Sequence, residues 1–162
     1  MRLLIIRHAI AVPRGTPDIP DDERPLTRKG ARRFRQAARG LRKLIKAPDV
    51  LLTSPLPRAR RTAELAAKAW GKKVKPEDAP ALAGGTFQEL ATMLAPYADA
   101  AVAIVGHEPD LSDLLARLLG TPRAERLTFR KGGAALVEIE GTVEDGGVLV
   151  WYAPPRLLRA LA

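Results

Sequence analysis

The chain contains no cysteine, which removes disulfide staples and thiolate metal sites from its repertoire. Aromatic residues make up only 4% of it, so any core must be aliphatic, drawn from Leu, Ala, Val and Ile. Long apolar runs are missing too. Leu3–Ile6 gives way at once to Arg7, too short a run for a secretory leader, and no stretch approaches the roughly 20 residues that cross a bilayer. Together these absences set the expectation of a cytoplasmic protein with no membrane association. Only two histidines occur, and no acidic residue stands beside them at a paired helical spacing, so neither a metal nor a cofactor is expected. Nor is there a glycine-rich phosphate loop or a serine in a nucleophile-elbow pattern.

What the 162 residues do supply is an ordinary hydrophobic content of 46%, which suits one compact domain over residues 1–162. They also carry a surplus of cations, 27 Lys and Arg against 18 Asp and Glu, for a net charge of +9. Such a balance favours anionic partners: phosphorylated molecules, nucleic acid or acidic proteins. The nucleic-acid reading is weakened because the sequence lacks stacking aromatics and any recognition motif.

Strand-like and helix-like segments alternate along the chain. "RLLII" (2–6) reads as a buried strand. Thr27 is placed to cap a helix running to about Ile45, with an apolar stripe at Ala31, Phe34, Ala38, Leu41 and Leu44. A second strand (49–53) precedes Ser54 and Pro55, which read as the N-cap and first residue of a helix that runs to Trp70 and is closed by Gly71. A short extended piece near Val74, a helix over 86–97, a third strand over 101–106 and a helix over 109–120 follow. Two last strands (133–140 and 147–153) read as an antiparallel pair. This order predicts an α/β fold, a three-layer αβα sandwich with a mainly parallel central sheet and an antiparallel edge.

Both histidines stand at the same kind of place. His8 follows the first strand and His107 the third, at sheet edges where open α/β folds bind ligands. One histidine ending a strand is most simply structural; the only two, placed equivalently, point to a shared site. Arg58 falls in the first turn of the helix after the second strand, where unpaired N–H groups welcome an anion. Arg7, His8, Arg58 and His107 would thus surround an anion-sized hollow, with arginines suited to bidentate phosphate contact.

The blocks "IIRHAIA", "ERPLTRKG", "TSPLPRARRTAE" and "IVGHEPDLS" occur in that order between residues 2 and 120. Together they resemble the histidine phosphatase superfamily, the phosphoglycerate mutase-like enzymes, and within it most closely the small SixA-type phosphohistidine phosphatases. The resemblance implies a phosphoglycerate mutase-like fold without a cap domain. It makes His8 the nucleophile that takes the phosphoryl group, Arg7 and Arg58 the pair that binds it, and His107 a second donor to its oxygens. Ala9 stands where the wider family has glycine. The glutamate that many relatives use as general acid has no counterpart in "PALAGG" (80–85), and Asp21 best fits the spacing for that role. Arg24 and Arg28 are placed to steer a partner, or are simply solvated charge.

The implied activity is a phosphatase acting through a phosphohistidine on His8. A phosphohistidine-bearing protein is the favoured substrate, because imidazole leaves with little acid assistance. Small phosphate esters such as sugar phosphates or nucleotides are the alternative, and a basic nucleic-acid-binding module is the reading outside the family.

Overall fold

The computed structural model describes residues 1–71 and 73–162. Six strands form one sheet: β1 (Arg2–Arg7), β2 (Val50–Thr53), β3 (Pro76–Asp78), β4 (Ala101–Gly106), β5 (Ala134–Glu138) and β6 (Val148–Ala153). Their order is β3-β2-β4-β1-β5-β6. The first four run parallel, while β5 pairs antiparallel with β1 and β6 with β5, as the sequence led us to expect.

The centre of the sheet goes to the two strands with unbroken apolar runs. A strand covered on both faces has no polar side to show. Leu4 and Ile6 of β1 point into one core, closed by helices α1 (Arg28–Leu44), α2 (Pro57–Ala69) and α5 (Pro155–Ala160). Leu3 and Ile5 point into the other, beneath α3 (Phe87–Leu94) and α4 (Asp110–Leu118). This makes the three layers. Helix α5 went unread in the sequence; it is only six residues long, and two prolines precede its single buried side chain, Leu158.

Helix α1 begins at its expected cap, with the Thr27 hydroxyl accepting from the Gly30 N–H at 2.9 Å. Its buried stripe differs from the one read from spacing. Leu44 is 43% exposed, and two glycines, Gly30 and Gly40, are buried in its place. A side chain at Gly30 would put its Cβ 2.0 Å from the Ile10 carbonyl oxygen, and one at Gly40 would sit 1.8 Å from that of Leu158. These glycines let α1 lie directly on the chain leaving β1 and on α5. A period count over large apolar residues misses them because they contribute contact by lacking a side chain.

The second helix starts later than expected. Residues 54–56 stay out of the helix, Leu56 is the N-cap and Pro57, not Pro55, takes the first helical position. The physical reason is Ser54, whose hydroxyl accepts from the Leu56 N–H at 3.2 Å and also meets a histidine from the neighbouring strand.

Candidate active site

Strands β1 and β4 are parallel neighbours, with Arg7 opposite Gly106. The next residue of each therefore emerges at the same carboxyl edge. The His8 and His107 rings lie 5.0 Å apart, centroid to centroid, and the His8 N–H donates to the Gly106 carbonyl at 3.0 Å. Arg58 reaches this edge from the first turn of α2. The chain thus brings Arg7, His8, Arg58 and His107 to one sheet edge from three separate strand ends.

Each histidine has one nitrogen fixed. His8 Nδ1 is 2.7 Å from the Ala9 carbonyl oxygen. A carbonyl can only accept, so Nδ1 carries the hydrogen and the lone pair of the neutral ring is on Nε2. Burial, with His107, Arg58 and Arg7 adding repulsion, lowers the His8 pKa to about 3. His107 Nε2 meets the Ser54 hydroxyl at 2.8 Å, and burial, followed by Arg58 and Arg7, lowers this ring to about 4. At neutral pH both rings are uncharged, and His8 presents a lone pair rather than a proton.

The arginines are aimed by the main chain. Arg7 Nη1 donates to the Phe129 carbonyl. The Phe129 N–H is in turn held by Glu108 Oε1 at 2.7 Å, and the other Glu108 oxygen accepts from Ser112. Arg58 Nη1 donates to the Asp21 carbonyl at 2.8 Å, and Arg24, only 7% exposed, donates to that of Val12 at 2.8 Å. Thr62 ties the two halves together: it accepts from the Ala9 N–H at 3.0 Å and donates to the Arg58 carbonyl at 2.7 Å.

These bonds leave a telling remainder. Among the described residues, four buried side-chain polar atoms lack a partner, and three of them are Arg7 Nε, Arg58 Nε and His107 Nδ1. Buried polar groups in folded proteins are nearly always paired. Three orphans on three strand ends, two of them permanent donors, have the chemistry to meet an oxyanion.

Asp21, the acid expected from the sequence, lies near these groups with its carboxylate paired to arginines. Its carboxylate accepts from Arg14 at 2.8 and 3.2 Å and from Arg24 at 2.9 Å, with Arg58 Nη2 3.9 Å away. Arg14 first, and Arg24 with it, hold this acid down to about 2. These contacts favour the ionised carboxylate, which in this structure organises the arginines around it. Arg28, by contrast, is an exposed residue of α1 with no ion pair among the described residues.

Sequence reasoning gave Ser54 only a capping role and passed over Thr62, Glu108 and Lys131. Thr62 carried a usable signal, being one helical turn beyond Arg58 and hence on the same face of α2. Lys131 carried none. It sits in the loop before β5, close enough that Arg7, Arg24 and Arg58, after burial, lower its pKa.

The same arrangement has relatives. The profile of the histidine phosphatase superfamily (branch 1) matches residues 3–93. An uncharacterized protein of Picosynechococcus sp. is 34% identical over 140 residues, 82% of each chain. Among solved structures, the protein histidine phosphatase SixA complexed with tungstate superposes with a TM-score of 0.82 at 26% identity, covering 96% of this chain and 98% of that one. A SixA-type structure from Nakamurella multipartitia gives 0.75 at 28% identity, covering 95% of both chains. A strand-end histidine beside paired arginines, on this sheet and with these relatives, leads to one conclusion: the chain belongs to the histidine phosphatase superfamily.

Proposed function

We propose that this protein is a phosphatase for phosphohistidine on partner proteins, working through a covalent phosphoryl intermediate on His8 Nε2. The observation that carries the reading is the pairing of that lone pair with the orphaned nitrogens of Arg7, Arg58 and His107. Phosphoryl transfer asks for an in-line nucleophile and for neutralisation of the equatorial oxygens, and little else. Arg7 and Arg58 bind those oxygens, and an anion beside His107 favours its protonated form, which donates. Arg24 and Lys131 extend the positive field toward the incoming substrate.

The steps balance without a carboxylic acid. His8 Nε2 attacks phosphorus while the bond to the substrate imidazole breaks. That imidazole leaves neutral when its far nitrogen already carries a proton. Phosphorylated His8 is then an imidazolium whose Nδ1–H remains on the Ala9 carbonyl. Water attacks phosphorus, releases phosphate with the water's proton, and returns His8 neutral with Nδ1 still protonated. An alkoxide leaving group would need an acid at the first step. Asp21 is ionised, and both Glu108 oxygens already accept hydrogen bonds. This supports phosphohistidine over small esters.

The test compares hydrolysis of a phosphohistidine peptide with that of sugar and nucleotide phosphates, using His8→Ala as control. We expect the peptide to be preferred and acid-quenched wild type to carry labelled phosphate that His8→Ala lacks. Faster turnover of the esters would overturn the substrate assignment, and a wild type that turns over without ever carrying label would overturn the intermediate.

A further inference from the structure

Helix α1 reads RKGARRFRQAARGLRKL, eight basic residues and no acidic one, and α5 adds Arg156 and Arg159. Ten of the 27 basic residues therefore lie on two helices, and the remaining 17 nearly cancel the 18 acidic residues of the chain. The net charge of +9 is in effect the charge of α1 and α5, which pack together over one face of the sheet.

A groove of about 360 Å³ runs between them. Ile10 and Pro155 contribute apolar surface to it above the buried Phe34 and Ala37, and its charged lining is Arg33, Arg130, Lys131, Arg156 and Arg159. No carboxylate lines the groove, and among the described residues none of these five cations is in an ion pair. The groove also adjoins the site. Ala9 and Ile10, the residues after His8, line it, and so does Gly132, whose N–H is shared at 3.1 Å by the Arg7 and His8 carbonyls.

We propose that this groove docks an acidic amphipathic segment of the phosphorylated partner protein, next to the phosphohistidine that enters at His8. The proposal rests on the reading that the substrate is a protein. Apolar side chains of the segment cover Ile10 and Pro155, and its carboxylates meet the five unpaired cations. Charge complementarity of this kind steers encounter and sets register. Nucleic acid fits less well. The one aromatic ring in the groove, Phe34, is 3% exposed and cannot stack on a base, and a phosphate backbone offers nothing to the apolar surface. A second copy of this chain placed symmetrically would set like charges against each other.

The probe is a short fluorescein-labelled peptide with Leu on one helical face and Glu elsewhere, titrated by anisotropy into wild type and into Arg33→Glu/Arg156→Glu. A Leu→Ser version of the peptide and an oligothymidylate run beside it. We expect saturable binding to wild type that weakens at least about tenfold both in the charge-reversed variant and on removal of the leucines. An unchanged small aryl phosphatase activity in the variant reports that it is folded, while the KM for a phosphohistidine peptide with the acidic flank rises. No saturable binding, equal binding by wild type and variant, indifference to the leucines, or tighter binding of the oligothymidylate would each overturn the proposal. Peptide binding of the expected pattern without phosphohistidine hydrolysis would leave the groove standing and remove the substrate assignment instead.

Discussion

Lowering the pH from 7 to 5 should weaken the fold through its two histidines alone. In the unfolded chain each titrates near 6.5, whereas in the folded protein His8 is held at about 3 and His107 at about 4. As the pH falls through 6.5 the unfolded chain binds two protons that the folded one refuses, so stability present above 6.5 drains away on acidification. Over this interval the loss is about 2 kcal/mol per histidine, or about 4 kcal/mol for the pair, a large share of typical domain stability. Asp21 does not contaminate the measurement, because its lowered pKa releases stability only as the pH falls below the ordinary carboxylate range. Urea unfolding at pH 7, 6 and 5 reads the slope directly. His8→Asn and His107→Asn should each halve it, and the double variant should flatten it. Saturating sulfate should also reduce it, since an anion at the orphaned donors favours charged rings. A wild-type midpoint that stays level between pH 7 and 5, or a slope that survives in the double variant, would show that the rings are not held neutral by burial.

Two further perturbations address the supporting structure. Gly30→Ala sets a methyl against the Ile10 carbonyl, and overpacking there should cost about 1–3 kcal/mol net of the helix-propensity gain, read as a lower Tm. Phosphatase activity should fall with it because Ile10 is two residues from His8; a stabilised, fully active variant would contradict the close approach. Asp21→Asn should lower kcat/KM by less than about tenfold and leave the alkaline limb of the pH–rate profile in place, because Arg58 is held by the Asp21 carbonyl rather than its carboxylate. A drop of several orders of magnitude with that limb abolished would restore Asp21 as the proton donor.

The parts of the fold that were legible in the sequence are those whose residues declare themselves by pattern. The apolar runs of β1 and β4 announced buried parallel strands, and the cap at Thr27 announced α1. The two histidines were legible as a pair because each directly follows such a strand. What escaped has a common cause. Gly30 and Gly40 act through the backbone of distant segments, Ser54 delays a helix to meet a ring from another strand, and Lys131 reaches the site from the far side of β1. None of these relations has a period or a spacing along the chain. The ionised state of Asp21 escaped for the same reason, since it depends on Arg14, Arg24 and Arg58 converging from a loop and a helix.

One feature of the site bears on how it can change. His8, Arg7, Arg24 and Arg58 are all oriented by peptide carbonyls, those of Ala9, Phe129, Val12 and Asp21. No substitution deletes a carbonyl, so the half-buried side chain of Val12 can change while Arg24 keeps its aim, whereas Ala9 and Phe129 are fixed by their own burial and Asp21 by its arginines. The vulnerability is shifted to chain length. A single-residue insertion or deletion between 9 and 21, or between 127 and 133, slides every following carbonyl out of reach of its partner. Such loops can change at their exposed positions and hardly at all in count.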